Sequence, residues 1–124
     1  MPLPITDDHR ALAAVARSFL AGQRAAARAL LDAPDEPLPA VWKEIAALGW
    51  LGMHVPQVHG GEGAGLPELA VVLEELGRVV APGPFLPSVL ASAILVEAGT
   101  PELQAALLPG LADGSRIGAV GLAA

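Results

Sequence analysis

Apolar residues recur along most of this chain at the spacing of one helical face. Leu12, Val15, Ala16, Phe19, Ala26 and Leu30 share such a face, which predicts a first helix. Thr6 is its expected N-cap, with Asp7 and Asp8 in the first turn. The helix is expected to stop near Asp32, where the acidic, proline-rich stretch from Ala33 to Pro39 forms a connector. A shorter helix follows from about Pro39, with Val41, Ile45 and Leu48 turned inward, Trp42 alongside and Gly49 as its C′ residue. Trp50 to Pro56 is apolar and reads as extended, and Gly60, Gly61, Gly63 and Gly65 make the next segment a loop. A third helix is predicted from Leu66 to Val80. Pro67 suits its first turn, and Leu69, Val72, Leu73, Leu76 and Val80 form its stripe.

From Val79 to Val96 there is no charged residue over 18 positions, nominally enough to span a membrane. Pro82, Gly83, Pro84 and Pro87 interrupt that run. What remains, from Phe85 to Ala98, is the length of a buried helix, and its apolar character all round predicts a central position. A fifth helix starts at Thr100-Pro101-Glu102 and runs through Leu111. After the turn Asp113-Gly114-Ser115, residues 116–122 read as a strand, with Ile117, Val120 and Leu122 among small residues. A lone strand leaves backbone donors and acceptors unpaired. The expectation is that it opens a β-rich continuation, or that it pairs with another molecule. The predicted fold is therefore all-α, with five helices over residues 1–115 and the first strand of a truncated β domain over 116–124.

Composition narrows the class. The chain has 124 residues, 53% of them hydrophobic, and a mean hydropathy of +0.54, which excludes an intrinsically disordered chain. Much of the apolar surface is alanine, which buries little area, so the core is expected to be thin and to want a partner surface. The net charge of −6 argues against nucleic acid as ligand. Charge is uneven: residues 1–28 carry four arginines against two aspartates, and the remainder carries three basic against eleven acidic residues. Arg10, Arg17, Arg24 and Arg28 fall on one side of the first helix, a stripe that suits an acidic partner or a solvated face. With no cysteine, disulfides, thiolate catalysis and cysteine-based metal sites are excluded. The N-terminus lacks the basic segment of a signal peptide, and the expected compartment is the cytoplasm.

Candidate chemistry is sparse. His54 and His59 flank a loop near Glu62, but their spacing matches no metal-ligand pattern, and exposed loop histidines are the expectation. The glycines from Gly60 to Gly65 precede a helix, yet they lack dinucleotide spacing and a terminal lysine, and Glu62 would oppose an anion. A turn for close helix packing is the simpler reading. Glu74 and Glu75 diverge by about 100° on a helix and cannot face one another as acid and base. Ser88 and Ser92 lie one turn apart on the apolar helix with no histidine in sequence to activate them; hydroxyls so placed bond back to their own helix. No catalytic or metal-binding set is expected.

The order of these signals resembles a known family. Trp42-Lys43-Glu44-Ile45-Ala46-Ala47-Leu48-Gly49-Trp50-Leu51-Gly52, followed by Val55-Pro56-Gln57-Val58-His59-Gly60-Gly61-Glu62-Gly63, is similar to the N-terminal helical domain of acyl-CoA dehydrogenases. Leu73-Glu74-Glu75-Leu76-Gly77 fits the next helix. Gly99-Thr100-Pro101-Glu102, and then Leu107 through Gly114, fit the helix and turn that lead to the family's β domain. The resemblance implies an FAD-dependent enzyme that oxidises an acyl-CoA thioester to the 2,3-enoyl-CoA. It also implies a glutamate base in a C-terminal domain outside these 124 residues, and a homo- or hetero-oligomer. The helical domain would then be scaffold and one wall of the acyl pocket, lined by Phe85, Ser88, Val89 and Ser92, with no catalytic residue and no activity of its own. Where family members carry Thr-Glu-Pro near the flavin, this chain reads Leu122-Ala123-Ala124. Leu122 and Ala123 are thus the weak candidates for flavin contact. Ala123 lacks the hydroxyl and Ala124 the acid; the resemblance also implies that most flavin contacts come from the other two domains and a neighbouring subunit, so this segment alone is expected to bind no FAD. Pro82-Gly83-Pro84-Phe85-Leu86-Pro87-Ser88 resembles divergent actinobacterial-type subunits of mixed oligomers. The alternative is a non-flavin assembly subunit of such an oligomer. A free-standing helical carrier of an apolar ligand is a third reading, against which the unpaired strand counts.

Overall fold

The computed structural model describes residues 5–33, 35 and 38–123. Among these, six α-helices follow in order: α1 (Asp7–Leu20), α2 (Arg24–Leu30), α3 (Val41–Ala47), α4 (Leu66–Arg78), α5 (Phe85–Ala98) and α6 (Pro101–Asp113), with a 3-10 turn at Gln57–His59. The architecture is all-α, as expected. The helices number six rather than five, because the first predicted helix is two.

Thr6 caps α1 through its hydroxyl, which accepts from the His9 backbone N–H at 3.2 Å, while the Thr6 N–H donates to His9 Nδ1 at 3.3 Å. Histidine thus closes a capping box in which glutamate or glutamine is usual. The helix breaks after Leu20, where the Gln23 N–H bonds to the Leu20 carbonyl at 3.0 Å. Gly22 weakens the helix by about 1 kcal/mol relative to alanine. No residue of α2 is buried, so packing does not reward continuity. The apolar stripe through Ala26 and Leu30 carried no trace of that break. Part of the connector after Asp32, the N-terminal Met1-Pro2-Leu3-Pro4 and Ala124 lie outside the described residues.

α1 and α4 run side by side in the same direction, tied by two polar rungs. His9 Nε2 lies 2.9 Å from Glu68 Oε1 near one end, and Arg17 bonds to Glu75 farther along. Around them Leu20, Trp42, Ile45, Leu51, Val72 and Val89 make the main core. Phe19 meets Trp50 edge-on, with ring centroids 5.5 Å apart. A smaller cluster joins Val55 to Leu108 and Ala112 of α6.

Two further expectations are corrected. Trp50 to Pro56 is not extended but winds through successive turns, in which the Gly52 carbonyl accepts from both Val55 and Glu62, at 3.1 and 2.9 Å. Buried Trp50, Leu51, Met53 and Val55 explain the apolar run: periodicity cannot separate a strand from a buried turn. The strand expected over 116–122 is not formed. Residues 117–123 have no regular structure, because no neighbouring backbone among the described residues pairs with them. The segment lies against α5 instead, where the Gly118 N–H donates to Ser88 Oγ at 3.1 Å. No helix among the described residues is long and apolar enough to cross a membrane.

Candidate functional site

α5 is the organising element. From Phe85 to Val96 it holds no charge, and Glu97 comes only in its last turn. Its C-terminal carbonyls are met by a side chain of α6: Gln104 Nε2 donates to Leu95, Val96 and Gly99 oxygens at 2.9, 3.1 and 3.2 Å. This cap was invisible in the sequence, since nothing local links Gln104 to α5.

Phe85, Ser88, Val89 and Ser92, the residues expected to line an acyl pocket, lie together on one side of α5, each less than one-tenth exposed. That side faces the interior of the helical domain. The opposite side carries Leu86, Leu90 and Ile94, which are 51%, 47% and 50% exposed. Ala91, Ile94 and Leu95 of α5, with Leu107 and Leu111 of α6 and residues 116–121, enclose an open apolar groove of about 490 Å³. Arg116 is the one charge at its rim.

A polar strip crosses the inner side of α5. Ser92 Oγ donates to the Ser88 and Val89 carbonyls at 3.2 and 3.1 Å, the back-bonding expected of it. It also lies 2.9 Å from His54 Nε2, so a histidine does reach Ser92 across 38 residues of sequence. Nδ1 is buried without a partner among the described residues. His54 is therefore a core residue and not an exposed loop histidine; His59 is partly exposed. Burial holds the His54 imidazole below its ordinary value of 6.5, in the neutral form. The pair lacks the third group that orients the base beside a catalytic nucleophile, because no side chain among the described residues meets Nδ1.

The described residues contain no group of three His, Cys, Asp or Glu side chains able to hold a metal. The glycine loop has a packing cause: a Cβ on Gly61 would stand 2.0 Å from the Val55 carbonyl oxygen and 2.6 Å from that of Gly52. Leu122 and Ala123 present no side-chain hydrogen-bond group, and Leu122 is almost fully exposed. Any contact of these two with a flavin would be made by their backbone N–H and C=O groups. The acid comparison at Ala124 falls outside the described residues.

Residues 6–115 match the family model described as acyl-CoA dehydrogenase, N-terminal domain. Acyl-CoA dehydrogenase FadE12 of Mycobacterium tuberculosis is 39% identical over 79 residues, covering 60% of this chain and 20% of that protein. A variant of the Tcur3481–Tcur3483 steroid ACAD superposes with a TM-score of 0.79 at 37% identity, over 92% of this chain and 32% of that one. The ChsE4–ChsE5 complex from Mycobacterium tuberculosis gives a TM-score of 0.81 at 27% identity, over 94% of this chain and 33% of that one. The chain thus spans a third or less of the proteins it is similar to.

Proposed function

Because the chain belongs to the acyl-CoA dehydrogenase N-terminal domain family, we propose that it forms the scaffold and one wall of the acyl pocket of an FAD-dependent enzyme that oxidises acyl-CoA thioesters to 2,3-enoyl-CoA. The observation that carries this reading is the exposed apolar side of α5, continuous with the groove along α6. A helix without charge until its last turn, left half open on one side, is a surface made to be covered. In the proposal Leu86, Leu90 and Ile94 face the acyl chain. Phe85, Ser88, Val89 and Ser92 form the inner side of that wall and fix its position. The domain excludes water and orients the ligand; proton removal and flavin belong to the rest of the enzyme. The cytoplasm is the proposed compartment.

The test uses the complete enzyme that carries these residues. Ile94→Glu is expected to raise KM for a long-chain acyl-CoA by about tenfold, the loss of one good apolar contact. An unaltered KM would overturn the wall assignment.

A second reading has an observation of its own. Ala123 lacks the hydroxyl of the family pattern, and one structural neighbour is described as a complex of two differently named proteins. On this reading the chain belongs to a non-flavin assembly subunit that packs against a catalytic partner. Reconstitution with FAD separates the two: the first reading expects flavin absorbance at about 450 nm to stay with the complete protein, and the second expects it to wash away.

A further inference from the structure

Positive charge on this acidic chain is concentrated in one place. Of its seven basic residues, Arg17, Arg24, Arg28 and Arg78 line two adjoining clefts where α1 and α2 meet the C-terminal end of α4. Arg17 is engaged with Glu75, and Arg78 with Glu74 and Glu75. Arg24 and Arg28 make no ion pair among the described residues. They stand one turn apart on α2, roughly 6 Å from Cβ to Cβ. Between them and α4 lies a cleft of about 390 Å³, with Ala27 and Val79 in its wall. Leu31 and Val80 flank it, 76% and 74% exposed.

Val80 supplies a second, independent observation. Its φ is +50°, and no other non-glycine residue among those described is left-handed. α4 ends in a reversing turn there: the Val80 N–H bonds to the Gly77 carbonyl at 3.1 Å and the Ala81 N–H to the Leu76 carbonyl at 3.0 Å. That position normally holds glycine, because a side chain in the left-handed region clashes with its own backbone, a β-branched one most of all. Fold stability alone favours glycine here. The valine holds this conformation with its side chain largely exposed, in the wall of the same cleft as Arg24 and Arg28.

We propose that this cleft is a docking surface for an acidic segment of a partner protein. Two carboxylates one helical turn apart meet Arg24 and Arg28, and one aliphatic or aromatic side chain sits between Leu31 and Val80. The charge distribution selects this occupant. At −6 overall, the chain repels an anionic lipid surface or a nucleic acid at long range, and two unpaired arginines are too few to offset that repulsion. A short segment with two carboxylates meets only the local patch.

The probe is a short fluorescein-labelled helical peptide with two glutamates one turn apart around a leucine. Its glutamine counterpart and vesicles of phosphatidylglycerol and phosphatidylcholine serve as comparisons. The glutamate peptide is expected to bind saturably, and Arg24→Glu and Arg28→Glu each to weaken it by about fivefold while Lys43→Glu leaves it unchanged. Val80→Gly is expected to raise Tm and yet weaken the peptide, a combination that a purely structural residue does not give. Absence of saturable binding, equal binding of the glutamine peptide, indifference to Arg24→Glu, tighter binding to vesicles, or a lower Tm for Val80→Gly would each overturn the proposal.

Discussion

Glu75 on α4 takes both of its carboxylate oxygens to one guanidinium on α1: Arg17 Nε lies 3.1 Å from Oε2 and Arg17 Nη2 lies 2.7 Å from Oε1. The carboxylate is buried while the arginine remains largely exposed. Hydrogen bonding from Arg17 holds the Glu75 carboxyl below its ordinary value of 4.5, against the opposing effect of burial. A depressed carboxylate contributes stability that is complete above the unfolded value and is lost as pH falls from there through the folded one. Tm is therefore expected to fall on acidification below about pH 4.5. Glu75→Gln is expected to be less stable at neutral pH and to show a shallower fall, because Glu68 and Asp113 are also depressed and keep their share. A Glu75→Gln slope identical to that of the parent would remove Glu75 from the acid response.

His54 sets a second, separate pH window. Its imidazole is neutral in the fold because burial opposes the charge, so the unfolded chain binds the proton more tightly. Stability is then complete above the ordinary value of 6.5 and declines as pH falls from there through the lowered folded value. Thermal melts between about pH 7 and pH 5 are expected to show this slope in the parent and not in His54→Gln. A slope that survives the substitution has another origin.

The glycine-rich loop was legible as a turn but not as a collision site. Gly61 has no left-handed backbone to explain it; what requires it is the Val55 carbonyl beneath its Cα. Gly61→Ala has only backbone to displace and is expected to cost more than about 3 kcal/mol, seen as failure to fold or a large drop in Tm. Gly60→Ala, at φ +87° with open space around it, pays only the left-handed penalty of about 1–2 kcal/mol. Gly60→Ala proving the worse of the two would contradict this account.

Local signals in the sequence carried far. The Thr6 cap, the helix start at Thr100 and Gly49 after α3 are found where they were expected, as is the stripe of α4 through Leu69, Val72 and Leu76, since each depends on neighbours within one turn; Val80, expected to extend that stripe, lies past the helix end and is exposed. What failed depends on distant groups. The break at Gly22 reflects the absence of anything for α2 to bury against. The turns of Trp50 to Pro56 are held by backbone bonds that reach Glu62 and Ala64. The contact of His54 with Ser92 joins a turn to a helix far along the chain, and no spacing rule encodes it. The candidate site divides the same way. α5 was expected to be central from its lack of charge, but only its Phe85, Ser88, Val89 and Ser92 side is buried; a nearly uniform apolar helix gives no signal of which side turns inward.

Gly22 itself offers the last test. A Cβ there meets nothing within 4 Å, and its φ lies outside the left-handed range. The flanking Ala21 and Gln23 both hold right-handed helical angles. Nothing steric therefore maintains the interruption between α1 and α2; it persists because glycine gains little from helical bonds and α2 has no packing to reward it. Gly22→Ala is expected to stabilise the domain by about 0.5–1 kcal/mol, mainly by restricting the unfolded chain, and to raise helicity by circular dichroism as the two segments join. Joining them also resets the angle at which Arg24 and Arg28 are presented beside Val80. The same substitution is thus expected to raise Tm and to weaken the acidic peptide. A destabilised Gly22→Ala would mean that the break is required by packing and that the arginine stripe is positioned by it.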